Sequence, residues 1–200
     1  MNIMIISDVH ANFSALQLFD AELKAADAVL CLGDIVGYHS EVNEVIHYLR
    51  QLPRLICIMG NHDDFLLRGC PELLSPHVKQ WIDYADQVIE QDNRLWLASL
   101  PISWSGYVGN LSFMLVHGSP WRPFTDYLYA DNKNLYNLDA FQYDIICFGQ
   151  THRAFIRDDK SPILLNPGSI GQSRDKKGIA FAMHIQTETK IITRLERAIL

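Results

Sequence analysis

The residues with the clearest chemical potential are polar ones that cut apolar runs short. Leu55-Ile56-Cys57-Ile58-Met59 reads as a buried strand and stops abruptly at Gly60-Asn61-His62-Asp63. Asn offers a neutral oxygen to a hard cation, and His offers either a metal-binding nitrogen or a transferable proton. The arrangement recurs. Ile3–Ile6 runs into Ser7-Asp8-Val9-His10, and Ala28–Leu32 runs into Gly33-Asp34-Ile35-Val36-Gly37. Leu111–Val116 ends in His117-Gly118-Ser119-Pro120, and Asp144–Phe148 ends in Gly149-Gln150-Thr151-His152. Singly, each motif also suits an ordinary turn, and Asp8 also suits a helix cap. Together they place polar side chains at the carboxyl ends of successive strands, where open α/β sheets bind ligands.

The elements that must position them follow from periodicity. Residues 11–25 carry a helical apolar face through Phe13, Leu16, Leu18, Phe19 and Leu23, and residues 41–50 another through Val42, Val45, Ile46 and Leu49. Pro53 ends the second helix. Strand–helix alternation over the first part of the chain means βαβ units and a parallel sheet. Helical patterns continue around Val78–Ile89 and Leu95–Leu100, with Trp81 and Trp96 as packing residues. From about residue 102 the pattern turns strand-like: Ile102–Val108, a tight turn at Gly109-Asn110, then Leu111–Val116. An aromatic loop with a helix near Leu135–Phe141 precedes the strand Asp144–Phe148. Short strands follow at Ala154–Ile156, Ile163–Leu165, Ile179–Ile185 and Lys190–Leu195, with turns at Asn166-Pro167-Gly168 and Lys176-Lys177-Gly178. A βαβ half followed by a more antiparallel half suggests two sheets packed face to face with helices outside.

Composition narrows the function classes. With 48% hydrophobic and 20% charged residues, the chain has an ordinary globular mix and enough length for one full core. The net charge of -6 and the lack of a basic run disfavour a nucleic-acid partner. Cys31, Cys57 and Cys147 sit inside apolar runs and Cys70 is more loosely placed; no CxxC pair occurs, so a reducing cytoplasm is expected. Met1–Ile6 is a first strand and not a signal peptide, and no apolar stretch is long enough to span a bilayer.

In this order, Asp8-x-His10, Gly33-Asp34-x-x-Gly37, Gly60-Asn61-His62-Asp63, His117-Gly118 and Gly149-Gln150-x-His152 resemble the motifs of the calcineurin-like metallophosphoesterase superfamily. His117-Gly118-Ser119-Pro120 and Asn166-Pro167-Gly168-Ser169 resemble its small bacterial and archaeal phosphodiesterase-like branch. The resemblance covers nearly the whole chain. It implies one domain over residues 1–200 with a helical insertion at about 71–100. The implied fold is a four-layer α/β/β/α sandwich, two mixed β-sheets flanked by helices, with two divalent metal ions at the strand ends. The implied activity is hydrolysis of a phosphodiester, phosphomonoester or nucleotide-like substrate by attack of a metal-bound hydroxide.

Residue chemistry agrees with that implication. Two neighbouring cations need a bridging carboxylate, for which Asp34 is the candidate; Asp8, His10 and His152 complete one metal, and Asn61 and His117 hold the other. Mixed oxygen and nitrogen ligands without thiolate suit Mn²⁺ best, with Fe or Zn²⁺ as alternatives. His62 and Asn61 are the candidate catalytic residues; by resemblance His62 stabilises the transition state and protonates the leaving oxygen. Two positions depart from the family. Gln150 stands where the pattern Gly-His-x-His has its first His, so the second metal is expected to bind weakly through Gln150 or water. Gly37 stands where the phosphoprotein phosphatase branch has an Asp that orients the catalytic His, leaving only Asp63 nearby in sequence. Arg122, Arg153 and Arg174 are candidate phosphate contacts, Arg153 foremost, and His39 is a candidate for the cleft border. His47, His77 and His184 are read as surface or packing residues. Phe124, Tyr127 and Tyr129 suit either base stacking or loop packing. A second reading, a non-catalytic scaffold like the retromer subunit that shares the fold, conflicts with retention of His62 and of every expected ligand except the one replaced by Gln150.

Overall fold

Hydrophobic alternation dictates the layers. The computed structural model describes residues 1–199; Leu200, the end of the expected domain, lies outside the described residues. In β1 (Asn2–Ile6), Ile3 and Ile5 point to one face and Met4 and Ile6 to the other, and all four are buried. A strand apolar on both faces must be covered on both. The two coverings are a helical layer and a second sheet.

The first sheet contains β2 (Ala28–Cys31) and β3 (Leu55–Cys57), both parallel to β1 or to each other, then β9 (Ile179–Gln186) and β10 (Ile191–Ala198), both antiparallel. Its strand order is β10-β9-β1-β2-β3. The second sheet runs β4-β5-β6-β8-β7, built from β4 (Ser103–Val108), β5 (Leu111–Val116), β6 (Ile145–Cys147), β7 (Ala154–Arg157) and β8 (Ile163–Pro167). Parallel pairing joins β5, β6 and β8; antiparallel pairing joins the edges. Ile3, Ile5, Leu30, Phe113, Leu115 and Ile145 fill the space between the sheets.

Helices cover the outer face of the first sheet: α1 (Phe13–Gln17), α2 (Asp20–Ala25), α3 (Val42–Gln51), α4 (Asn61–Arg68), α5 (Pro76–Val88) and α6 (Gln91–Ala98). In α3 the buried residues Val42, Val45, Ile46 and Leu49 recur with helical spacing. Ser75 caps α5 and Pro76 occupies its first turn, which costs no hydrogen bond. Trp96 packs against this core. The second sheet's outer face is covered by a 3₁₀ segment, Lys133–Ala140, through Leu135 and Leu138. The expected sandwich of two mixed sheets and flanking helices is therefore borne out.

Several boundaries differ from the sequence reading. The helix expected over 11–25 divides after Gln17, where the amides of Leu18 and Phe19 donate to carbonyls three residues back and tighten the turn. The strand 55–59 ends at Cys57, and α4 starts directly at Asn61 where only a strand end was expected. Asn166 and Pro167 belong to β8, and the turn begins at Gly168; Pro is tolerated at a strand end. The Gly109-Asn110 hairpin forms as expected, pairing Val108 with Leu111. No helix among the described residues is long and apolar enough to cross a membrane.

One polar clamp ties the sheets together just ahead of β6. Asp144 accepts from the Ser112 amide at 2.9 Å and hydroxyl at 2.8 Å, and from Lys190, in the β9–β10 turn, at 3.0 Å. The Ser112 amide and then Lys190 hold its carboxyl down at about 2. A carboxylate depressed in the folded state stabilises above its unfolded value and loses that contribution as pH falls through its folded one. Asp144→Asn should cost about 1 kcal/mol at pH 7, after allowing for solvent screening of this partly exposed pair. Urea midpoints of variant and wild type should converge as pH falls from about 4 towards about 2.

Candidate metal centre

Every candidate ligand sits where a strand of one sheet or the other stops. Asp8 and His10 follow β1, Asp34 follows β2, Asn61 follows β3, His117 follows β5, and Gln150 and His152 follow β6. All are buried. Asp8, His10, Asp34, Gln150 and His152 have φ values of +51° to +61°. Left-handed backbone costs a non-glycine residue about 1–2 kcal/mol, and such strain clusters at functional sites. Here it bends the chain sharply after the strand and leaves the side chain over the sheet edge. Backbone bonds between loops hold it: the amides of Asp8, His10 and Ala11 donate to the carbonyls of Gly33, Asp34 and Ile35.

The imidazoles are aimed by backbone carbonyls. His10 Nδ1 lies 3.0 Å from the Val36 oxygen, His117 Nδ1 2.7 Å from the Leu32 oxygen, and His152 Nδ1 2.7 Å from the Gln172 oxygen. A carbonyl only accepts, so each Nδ1 carries a hydrogen and each Nε2 is turned inward as the atom free to ligate. Those inward atoms crowd together. His10 Nε2 is 3.1 Å from His152 Nε2, which is 3.2 Å from Asp8 Oδ1. Ligand atoms of Asp8, His10, Asp34 and His152 all lie within 4.8 Å of one another. Among the described residues, neither Asp8 oxygen receives a hydrogen bond. Lone pairs facing lone pairs in a buried space repel, and a divalent cation between them turns that repulsion into coordination. The donor set thus fits a metal ion.

Asp34 stands between two halves of the cluster. Its Oδ2 is 3.6 Å from His10 Nε2 and 3.4 Å from His117 Nε2, while Oδ1 accepts from the His62 amide at 2.9 Å. Beyond it, His117 Nε2 is 3.0 Å from Asn61 Oδ1. Burial pushes the Asp34 carboxyl up, but the His117, His62 and His10 rings outweigh it and hold it well below the usual range. Burial pulls His117 down, but Asp34 and Asp8 carry it up to about 10. The space beside Asp34 attracts positive charge, either as a proton or as a metal ion. Gln150 gives its Nε2 hydrogen to the Phe124 carbonyl at 3.2 Å, and its Oε1 is buried over Gly118 without a partner among the described residues. That oxygen is the only donor atom Gln150 has left to offer.

Asp63 is next to His62 in sequence but turned away from it. Its Oδ1 accepts from the Ile35 and Val36 amides, at 2.9 and 3.1 Å, and its Oδ2 from the Gly60 amide at 2.9 Å. His62 is therefore not oriented by a carboxylate. Its Nδ1 is buried without a partner among the described residues, against the bare backbone of Gly37, where a Cβ would come within 2.4 Å. Tyr38, Phe65 and His10 hold the ring at centroid distances of 4.9, 5.9 and 4.7 Å. His62 Nε2 faces the cluster, 4.0 Å from Asp34 Oδ2. Burial lowers its pKa despite the pull of Asp34.

Sequence reasoning missed Tyr38, which covers His10 and His62. Burial raises the Tyr38 hydroxyl, and nearby Arg174 opposes the rise. An aromatic directly after Gly37 carries no chemical signal of its own, and the expected cleft border falls instead on His39. His39 packs behind the site, with Nδ1 3.0 Å from the His10 carbonyl. His77, read as a surface residue, is exposed but lies 6.0 Å from the Tyr38 ring, at the rim. Arg174 borders the entrance through Tyr38, Arg153 lines an adjoining cavity, and Arg122 is exposed. Asp8 does not cap a helix; Asn12 does, accepting from Ala15.

Gly60 is where the second and third strand ends touch. A Cβ there would lie 2.2 Å from both the Asp34 amide nitrogen and Asp34 Oδ1. The obstruction is partly backbone, so a rotamer change does not relieve it. Gly60→Ala should lose about 2–4 kcal/mol in urea unfolding. Gly178→Ala, with open space around it but φ of +75°, should lose only about 1 kcal/mol.

Comparisons with known proteins agree with this geometry. The profile of the calcineurin-like phosphoesterase superfamily domain matches residues 1–189. An uncharacterized protein of Methanocaldococcus jannaschii, MJ0912, is 32% identical over 180 residues, covering 88% of this chain and 72% of its own. The crystal structure of a metallophosphoesterase from Sphaerobacter thermophilus superposes with a TM-score of 0.81 at 27% identity, covering 98% of this chain and 87% of that one. That of hypothetical protein PH1004 from Pyrococcus horikoshii gives 0.86 at 21% identity over 98% and 88%. By its motifs, its two-sheet architecture and a profile match over almost its whole length, the chain belongs to the calcineurin-like phosphoesterase superfamily.

Proposed function

We propose that the chain is a metal-dependent phosphoesterase acting on a phosphodiester, phosphomonoester or nucleotide-like substrate. The observation that carries this reading is the 3.1 Å approach of His10 Nε2 to His152 Nε2 beside an uncompensated Asp8 carboxylate. Asp8, His10, Asp34 and His152 would hold one cation. Asp34, Asn61 and His117 would hold a second, with Gln150 Oε1 as a weak neutral donor. Oxygen and nitrogen donors without thiolate favour Mn²⁺, then Fe or Zn²⁺. When bound, such cations acidify water and neutralise charge on phosphoryl oxygens.

The chain's own residues would supply the rest. His62 Nδ1 is shut in beneath Gly37, so Nε2 is the nitrogen available to substrate. From there it would donate to a phosphoryl oxygen and deliver a proton to the leaving oxygen. Asn61 would fix the position of His117 and share in binding. The Arg174 guanidinium at the entrance would attract an anionic ester. The free, mostly buried cysteines support a reducing cytoplasm.

Two measurements test this. With Mn²⁺, the protein should hydrolyse p-nitrophenyl phosphate or its bis ester, and His62→Ala should lower kcat by about 10²–10⁴ without changing metal content. Failure on both esters and on a nucleotide panel, with no metal bound, would establish the scaffold reading instead. Metal counting by mass spectrometry should find the second ion substoichiometric. Gln150→His should then raise its occupancy; unchanged stoichiometry and Mn²⁺ dependence would refute the ligand-strength explanation.

A further inference from the structure

We propose that the cavity beside His152 binds the nucleoside arm of the substrate, which makes that substrate a nucleotide-type phosphodiester. The proposal rests on the phosphoesterase reading above and names its substrate class. The cavity holds about 550 Å³, within the roughly 300–1,000 Å³ of small-molecule sites. It adjoins the metal centre through the residues on either side of His152. Thr151 and Arg153 flank His152 and line it. Asp175 lines it too, and follows Arg174, whose amide donates to the His152 carbonyl at 3.1 Å. Tyr129 closes another side and stacks on Tyr127, with ring centroids 6.2 Å apart and planes within 15°. An ester held at the cluster can therefore extend one arm into the cavity.

The lining groups select what that arm is. The Tyr127–Tyr129 stack is about 40% exposed, 41% and 38% for the two rings. It adjoins the cavity, a surface on which a base can lie. Asp175 Oδ2 accepts from the Ala154 amide at 2.6 Å, which leaves Oδ1 for another donor. With Asp131 across the cavity it provides carboxylates that accept from sugar hydroxyls or a base amino group, as acidic residues do for ribose. Arg153 forms no side-chain hydrogen bond or ion pair among the described residues. Its backbone is held by Thr151, whose hydroxyl accepts from the Arg153 amide at 3.2 Å and from Asn166 at 3.1 Å. Two carboxylates against one guanidinium disfavour a second phosphate group and suit an uncharged, hydroxyl-bearing ring system.

Calorimetry on Mn²⁺-loaded protein with AMP and with inorganic phosphate separates the nucleoside contribution from the phosphate one. AMP should bind about tenfold more tightly than phosphate, and Tyr129→Ala should abolish the difference. Asp131→Asn should reduce it. Where the enzyme turns over p-nitrophenyl thymidine 5′-phosphate, Tyr129→Ala should lower its kcat/KM relative to the bis ester about tenfold, through KM. Equal affinity for AMP and phosphate, or a ratio that neither variant changes, would overturn the proposal. Tyr129-dependent AMP binding by a protein that hydrolyses neither ester would support the subsite and overturn the hydrolase reading alone.

Discussion

Three inward-facing imidazole nitrogens and two carboxylates, buried within a few ångströms of one another, form the arrangement that the rest of the structure must sustain. The ionised carboxylates lose hydration, and the inward-facing lone pairs repel. Left alone, each buried charge would cost several kcal/mol. The scaffold accommodates the cluster by fixing its geometry from outside. Carbonyls of Val36, Leu32 and Gln172 aim the three rings. The His62 amide secures Asp34. Left-handed turns at the strand ends place the side chains over the crevice. Two sheets are needed because His117, Gln150 and His152 come from one and Asp8, His10, Asp34 and Asn61 from the other.

The same constraint explains Gly60 and Asp63. The ends of the second and third strands meet so closely that a methyl group on Gly60 would overlap Asp34. Asp63 then joins the two loops by accepting from three amides. A carboxylate so engaged cannot also steer His62. The ring is instead positioned by aromatic packing and by the space above Gly37. Packing in place of an ionic partner leaves one ring nitrogen buried and the other turned to the cluster, so which nitrogen faces the cluster is determined sterically.

Much of this was legible in the chain. Apolar runs of alternating and helical period gave the strands and most helices, because burial on defined faces enforces those periods. Polar motifs terminating successive strands located the centre, because parallel strands share a carboxyl edge. Helix α4 was not legible: Asn61 to Arg68 has only Phe65, Leu66 and Leu67 as apolar residues, too few to show a period. Its start is made by tertiary contacts of Gly60 and Asp63, not by local propensity. Tyr38 was also hidden, since an aromatic after a glycine carries no signal until its ring has somewhere to pack.

The sequence by itself determined the residue types at the strand ends and their order. From these the two-sheet fold, the superfamily and the candidate ligands follow, because chemical type and strand period are local properties. Tertiary structure alone decided direction. Nothing local says that Asp63 turns from His62, that Gln150 spends its amide hydrogen on Phe124, or that Tyr129 lines one cavity with Thr151 and Arg153. Each of these depends on partners distant in the chain, and a side chain's direction is set by whichever partner satisfies its hydrogen bonds or buries its ring.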